Sequence, residues 1–330
     1  MRNRAKKTLQ VALSLAIALT IFYYLYKDIH FEQVNTVLKE TVFLWIIVSV
    51  LISIAGYFLR AWRWKLLIEA SETKTISTLK AFWALMFGYL VNLLVPRAGE
   101  LARCAALKKT DRMDMGRLLG TVILERSVDL IFMMVVVLLA FMLESEHFIK
   151  LFAELVSSET LLRFTQDYGL FLVISVLLVA ACLFVLVRIF HQSRWIRKIR
   201  QFIRQFVSGL TAIAKVKTQG GFWLSSGIIW VIYYLMMYFL AQAMPSTASL
   251  EASSVLMVMV MGSIGMIAPV QGGIGTFHAL VAFILLFYGI AEEQGKIFAM
   301  VVHASQMLTI LLLGAAAMGV LLKYQTKVTL

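Results

Sequence analysis

The chain has 330 residues, enough for two soluble domains, yet 61% of them are hydrophobic and only 15% are charged. A water-soluble fold runs about 45–50% apolar and about 25% charged, so a soluble fold is excluded and the chain reads as a single integral membrane domain over 1–330. The net charge of +13 fits cytoplasmic loops beside an anionic inner leaflet rather than a nucleic-acid partner. Three prolines and 19 glycines exclude collagen-like and low-complexity readings. Cys104 falls in a basic segment and Cys182 in an apolar one, which gives no ground for a disulfide.

A helix needs about 20 apolar residues to cross the hydrocarbon, and six stretches qualify as full spans: 8–26, 41–59, 118–143, 169–188, 222–244 and 296–322. The first follows Arg2, Arg4, Lys6 and Lys7 without an A-x-A cleavage pattern and reads as a retained signal anchor. Two further apolar regions are interrupted. One, 79–110, breaks at Pro96-Arg97-Ala98-Gly99; the other, 253–290, breaks at Pro269-Val270-Gln271-Gly272-Gly273-Ile274-Gly275. Residues that cannot propagate a helix between short apolar arms predict two re-entrant helical hairpins lining a cavity. The expected fold is therefore all-α and polytopic. With both termini in the cytoplasm and both hairpins returning to the side they left, 25 basic residues lie on the cytoplasmic side and 5 outside. That asymmetry predicts a multi-pass protein of the cytoplasmic membrane.

The order of elements repeats. Segment 8–143 holds two spans, a hairpin and a span, and 169–322 holds the same series. Pro96 and Pro269 lie 173 residues apart, each followed three residues later by glycine. The halves would be inverted, an arrangement that places a binding site at the midplane. Between them, 194–210 carries Trp195, Ile199, Phe202, Ile203, Phe206 and Leu210 on one helical face and mostly basic residues on the other. It reads as an amphipathic helix on the inner leaflet.

Four groups of residues carry the candidate chemistry. Asn92, Arg97, Glu100 and Arg103 surround the first break, where a helix opening near Gly99 would offer N–H groups and its dipole to an anion. Arg97 could add a bidentate fork, or could simply set topology. Glu125, Arg126 and Asp129 lie inside an apolar run, with Glu125 and Asp129 on one face and Arg126 within i,i+3 of Asp129. Ionisable residues there mark function, although a network that locks helices serves equally well. Arg60 and Arg63, in Arg60-Ala-Trp-Arg63-Trp64-Lys65, read alone as an interfacial belt, with lipid phosphate capture as the alternative; they join Glu125, Arg126 and Asp129 as a supporting charge network. Gly272, Gly273 and Gly275 allow close backbone approach, and His278 and His303 are a candidate proton relay weighed against simple packing. No spacing indicates a metal or a cofactor, and no Ser–His pair indicates a hydrolase.

On these residues the chain resembles the lysylphosphatidylglycerol synthase transmembrane-region family, the flippase-like domain of bifunctional lipid-aminoacylating proteins. The resemblance rests on Arg60-x-x-Arg63-Trp64, Asn92 through Pro96-Arg97-x-Gly99-Glu100-x-x-Arg103, Glu125-Arg126-x-x-Asp129 and Pro269-x-x-Gly272-Gly273-Ile274-Gly275. It implies a protein that moves phospholipid or modified lipid headgroups across the membrane, with membrane phospholipids as partners. His278 stands where the family often has an acidic residue. The chain ends at Leu330 without the soluble aminoacyl-transferase domain, so the resemblance does not imply lipid synthesis. Two rivals stay open: an intramembrane lipid- or glycolipid-modifying transferase, and a membrane scaffold for a separate lipid-modifying enzyme.

Overall fold

A computed structural model describes residues 16, 19–71, 75–95, 97–146, 149, 216–268 and 270–329, with side chains as far as Tyr324. The expected span 169–188, the segment 194–210 and most of 8–26 lie outside the described residues. Among those residues all regular structure is helical. A helical stretch at 19–26 leads to α1 (Phe31–Glu40), α2 (Phe43–Ser71), α3 (Thr78–Leu94), α4 (Gly99–Asp111), α5 (Met115–Leu143), α6 (Gln219–Ala243), α7 (Ala252–Ile267), α8 (Thr276–Phe287) and α9 (Glu292–Thr329), with a 3₁₀ turn at Gln271–Gly273 before α8. Among the described residues, four helices are long and apolar enough to cross a membrane: α2, α5, α6 and α9 over Glu292–Tyr324. Helices α3, α7 and α8 are apolar but shorter.

The boundary furthest from the sequence expectation is the end of α2. Helix α2 does not stop at 59 but runs on through Arg60, Arg63 and Trp64 to Ser71, burying all three. Arginine, leucine, lysine and tryptophan in this stretch are tolerable to good helix formers. Lys65 and Glu69, 3.6 Å apart at i,i+4, support the extension.

The ends of the molecule differ in charge. At one end lie the C-terminus of α2, both outer ends of the α3–α4 pair and the start of α5, tied by Lys80 Nζ to Asp111 Oδ1 at 2.6 Å. Lys65, Lys80, Lys108, Lys109, Arg112, Arg117, Lys217 and Lys323 gather here against Glu69, Asp111 and Asp114. At the other end the Val42 N–H donates to the Ala243 carbonyl at 2.8 Å, and the Ser254 hydroxyl donates to Glu144 at 3.3 Å. There Asp28, Glu32, Glu40, Glu144, Glu146, Glu251, Glu292 and Glu293 outnumber Lys27, Lys39 and Lys296.

Helices α2 and α6 run antiparallel along each other, the Ser49 hydroxyl donating to the Met236 carbonyl at 3.0 Å. Each interrupted pair packs both on the long helix that follows it and on the one that follows the other: α3 and α4 against α9 with α4 also against α5, and α8 against α9 with α7 against α5. Within a pair the arms touch backbone to backbone. A Cβ on Gly88 would lie 2.8 Å from the Gly99 carbonyl oxygen, and one on Gly265 would lie 2.8 Å from Phe277 Cα. Small residues are what such close helix contact requires in a membrane.

The two breaks meet. Arg97, at φ 60°, donates from Nη2 to the Ile267 carbonyl at 3.2 Å. Gln271 Nε2 donates to the Leu94 carbonyl at 3.4 Å. At 1.5 Å per residue, α3 and α7 each reach about 25 Å while α5 is about 43 Å long. The breaks therefore come together near half height, one pair entering from each end.

Candidate functional site

Three helices bring charge to one buried volume, and a fourth adds hydroxyls. Glu125, on α5, is fully buried. Its Oε1 accepts from Arg60 Nη2 at 2.8 Å and its Oε2 from Arg103 Nη2 at 2.7 Å. One turn on, Asp129 Oδ1 accepts from Arg63 Nη2 at 2.6 Å, and its Oδ2 from Arg60 Nη2 at 3.3 Å. Helix α6 contributes Ser226, which accepts from Arg63 Nη1 at 3.2 Å, and Tyr233, whose hydroxyl accepts from Arg60 Nη1. The Arg103 guanidinium lies 4.4 Å from the centre of the Trp64 ring, a cation–π contact. Trp64 is itself fixed by a 2.9 Å bond from Nε1 to Thr121.

Arg126 takes a different place. Its side chain is 43% exposed, and its nearest carboxylates are Asp129 at 3.6 Å, Glu100 at 3.8 Å and Glu125 at 3.9 Å. The i,i+3 contact read from the sequence is present, but it is peripheral. The buried carboxylates are neutralised chiefly by Arg60, Arg63 and Arg103, which come from α2 and α4. This also replaces the interfacial-belt reading of Arg60 and Arg63: both are buried inside the protein, Arg63 completely.

The cluster holds more cations than anions. Four guanidiniums face Glu125 and Asp129, with Glu100 at the rim, and fully paired buried charge is the usual rule. Buried Arg60 Nε, Arg63 Nε and Arg103 Nη1 find no hydrogen-bond partner among the described residues. Beside Arg103 is a cavity of about 10 Å³ lined by Leu85, Gly88, Tyr89, Asn92, Gly99, Glu100, Arg103 and Arg126. That is room for roughly one water-sized group.

Asn92 and Glu100 thus lie beside Arg103 and the Arg60, Arg63, Glu125, Arg126 and Asp129 network. The first N–H of α4 is occupied within the chain, since Asn92 Oδ1 accepts it from Gly99 at 2.6 Å. Arg97 is not in this cluster: its guanidinium turns to Ile267 at the meeting of the breaks. Gly272, Gly273 and Gly275, all at positive φ, lie with His278 and His303 at that second place. Gln271, Tyr233, Ser226, Trp64 and Thr121 were not singled out as site residues in the sequence. Tyr233 alone had a signal, since its separation from Arg60, 173 residues, equals that between the two prolines. Among the described residues no three His, Cys, Asp or Glu side chains are placed to hold a metal ion.

The family model for the lysylphosphatidylglycerol synthase TM region matches residues 11–314. The chain belongs to that family. No curated protein and no solved structure matches it. As a lysylphosphatidylglycerol synthase TM region, the chain is a membrane protein of a lipid-related family. The match spans both interrupted pairs and every residue of the charged cluster.

Proposed function

We propose that this protein is a lipid translocase of the cytoplasmic membrane, moving phospholipid or modified lipid headgroups between leaflets. The observation that carries the reading is the meeting of two interrupted helix pairs near half height, next to a buried cluster with surplus guanidinium. Interrupted helices at a repeat interface are how transporters build midplane sites, and the exchanged packing of α3 on α9 and α7 on α5 fits inverted halves 8–143 and 169–322. In this reading six spans and two re-entrant hairpins make up the domain, with both termini cytoplasmic. Arg103 Nη1 and Arg126 are the donors for a headgroup phosphate, and Glu125 and Asp129 hold the arginines in position.

The test is reconstitution into vesicles with a fluorescent phospholipid whose outer-leaflet copies are quenched chemically. Wild type should move the probe without changing its mass. Arg103→Lys, matched for insertion and stability, should slow it by at least about tenfold. A single ammonium cannot both hold Glu125 and reach a phosphate, and a charge-assisted hydrogen bond is worth roughly 1.5–3 kcal/mol. Wild-type rates in both Arg103→Lys and Arg126→Ala would remove the cluster from transport. An altered lipid mass would support the transferase, and neither translocation nor chemistry would support the scaffold.

A further inference from the structure

The second break is gripped from two sides by imidazoles. His278, in the first turn of α8, accepts the Gly275 N–H on Nδ1 at 3.2 Å. His303, on α9, places Nε2 2.8 Å from the Gly272 carbonyl oxygen. These partners assign the tautomers: each neutral ring carries its proton on Nε2. The rings are 2% and 7% exposed and 4.7 Å apart, edge to face. The backbone between them has Gly272 at φ 59°, Gly273 at 75° and Gly275 at 88°, a path only glycine follows freely. What keeps it on that path is its set of hydrogen bonds, from the backbone of the turn and from side chains.

We propose that His278 is a proton-operated latch: neutral, it closes the second break, and proton uptake opens it. The two rings respond unequally to a proton. On His278 the added proton occupies Nδ1, the atom that accepts the Gly275 N–H, so two donors face each other and the bond is lost. On His303 it occupies Nδ1 and leaves the Nε2 donor to Gly272 intact.

Among the described residues, none offers an imidazolium at His278 a counter-charge. The titratable side chains facing it are His303 and, from the stretch 19–26, Tyr26, whose ring stands edge-on at 5.7 Å. The Tyr26 hydroxyl is committed to the Lys296 carbonyl at 2.8 Å, and the Lys296 amine lies 2.6 Å from Glu292. Helix α7 carries no titratable residue, and the 3₁₀ turn brings only uncharged Gln271. A proton at His278 is therefore bound better by the open break than by the closed one, and by linkage acidification favours opening. This inference does not depend on lipid translocation, because it concerns backbone protection at 270–276.

The experiment is hydrogen exchange of the peptide spanning 270–276 in lipid nanodiscs between pH 8 and pH 5, corrected for the chemical pH dependence of exchange. Wild type should lose protection on acidification, approaching about tenfold per pH unit if one proton is linked to opening. His278→Gln should stay protected throughout, because glutamine at this first-turn position can accept the same N–H and does not titrate. His278→Leu should be unprotected at both pH values. Should the leucine variant fail to fold, the glutamine comparison still decides. Flat protection in wild type would overturn the latch, as would a His278→Gln profile that follows wild type.

Discussion

Glu125 divides its two oxygens between arginines from two other helices, and this determines what its removal does. Without that carboxylate, the buried Arg60 and Arg103 lose their nearest carboxylate. Breaking a buried pair from one side costs about 3–5 kcal/mol, so Glu125→Ala should destabilise by about that much in chemical unfolding of detergent-solubilised protein. Arg126→Ala should cost under about 1 kcal/mol, the scale of an exposed ion pair. The reverse order would show that Arg126, not the α2 and α4 arginines, balances the cluster. The carboxylates were legible in the sequence because charge inside an apolar run stands out. Arg60 and Arg63 were read with them as a charge network, but the pairing of each oxygen and the part of Arg103 were hidden, because spacing along one helix specifies only neighbours on that helix.

Helix against helix, contact in the interrupted pairs runs through glycine. A Cβ at Gly99 would run into the Gly88 carbonyl and the Asn92 side chain, whereas one at Gly120 meets nothing within 4 Å. Gly99→Ala should therefore pry α4 from α3, costing at least about 1–3 kcal/mol as overpacking does, with loss of folded yield. Gly120→Ala should be neutral or slightly stabilising, and equal stability of the two variants would disprove close packing of the arms. Arg97 poses a separate test at the contact between breaks. It donates one hydrogen bond to a carbonyl, so Arg97→Lys should translocate lipid at the wild-type rate while Arg97→Ala slows it. A lysine variant as slow as the alanine one would instead mean that Arg97 needs its guanidinium fork. The interruptions were visible as clusters of residues unable to continue a helix. Which long helix each pair would lean on was hidden, because apart from their few charged positions α5 and α9 spread apolar residues all round and mark no face for this contact.

Across the whole molecule, the basic end and the acidic end make a claim about sidedness. Single cysteines at 109 and 217 should react with an impermeant reagent from one side of the membrane, and those at 146 and 293 from the other, once Cys104 and Cys182 are replaced. Labelling of 109 and 146 from the same side would overturn the arrangement. Counting basic residues along the sequence anticipated this polarity because topology is sorted by charge. The same sorting cannot reveal how far a given charge lies from either surface. That distance has an electrical consequence. Ten residues of α5 separate Met115 from Glu125, so the arginine surplus sits about 15 Å along α5 from its basic end, on a helix long enough to span a hydrocarbon layer of about 30 Å. A full charge crossing 100 mV gains or loses about 2.3 kcal/mol. A 5 Å shift of the cluster, a sixth of that layer, would exchange roughly 0.4 kcal/mol with the field for each surplus charge. Any conformational change that carried the cluster along the membrane normal would therefore depend on voltage, and reversing the voltage would reverse its sign.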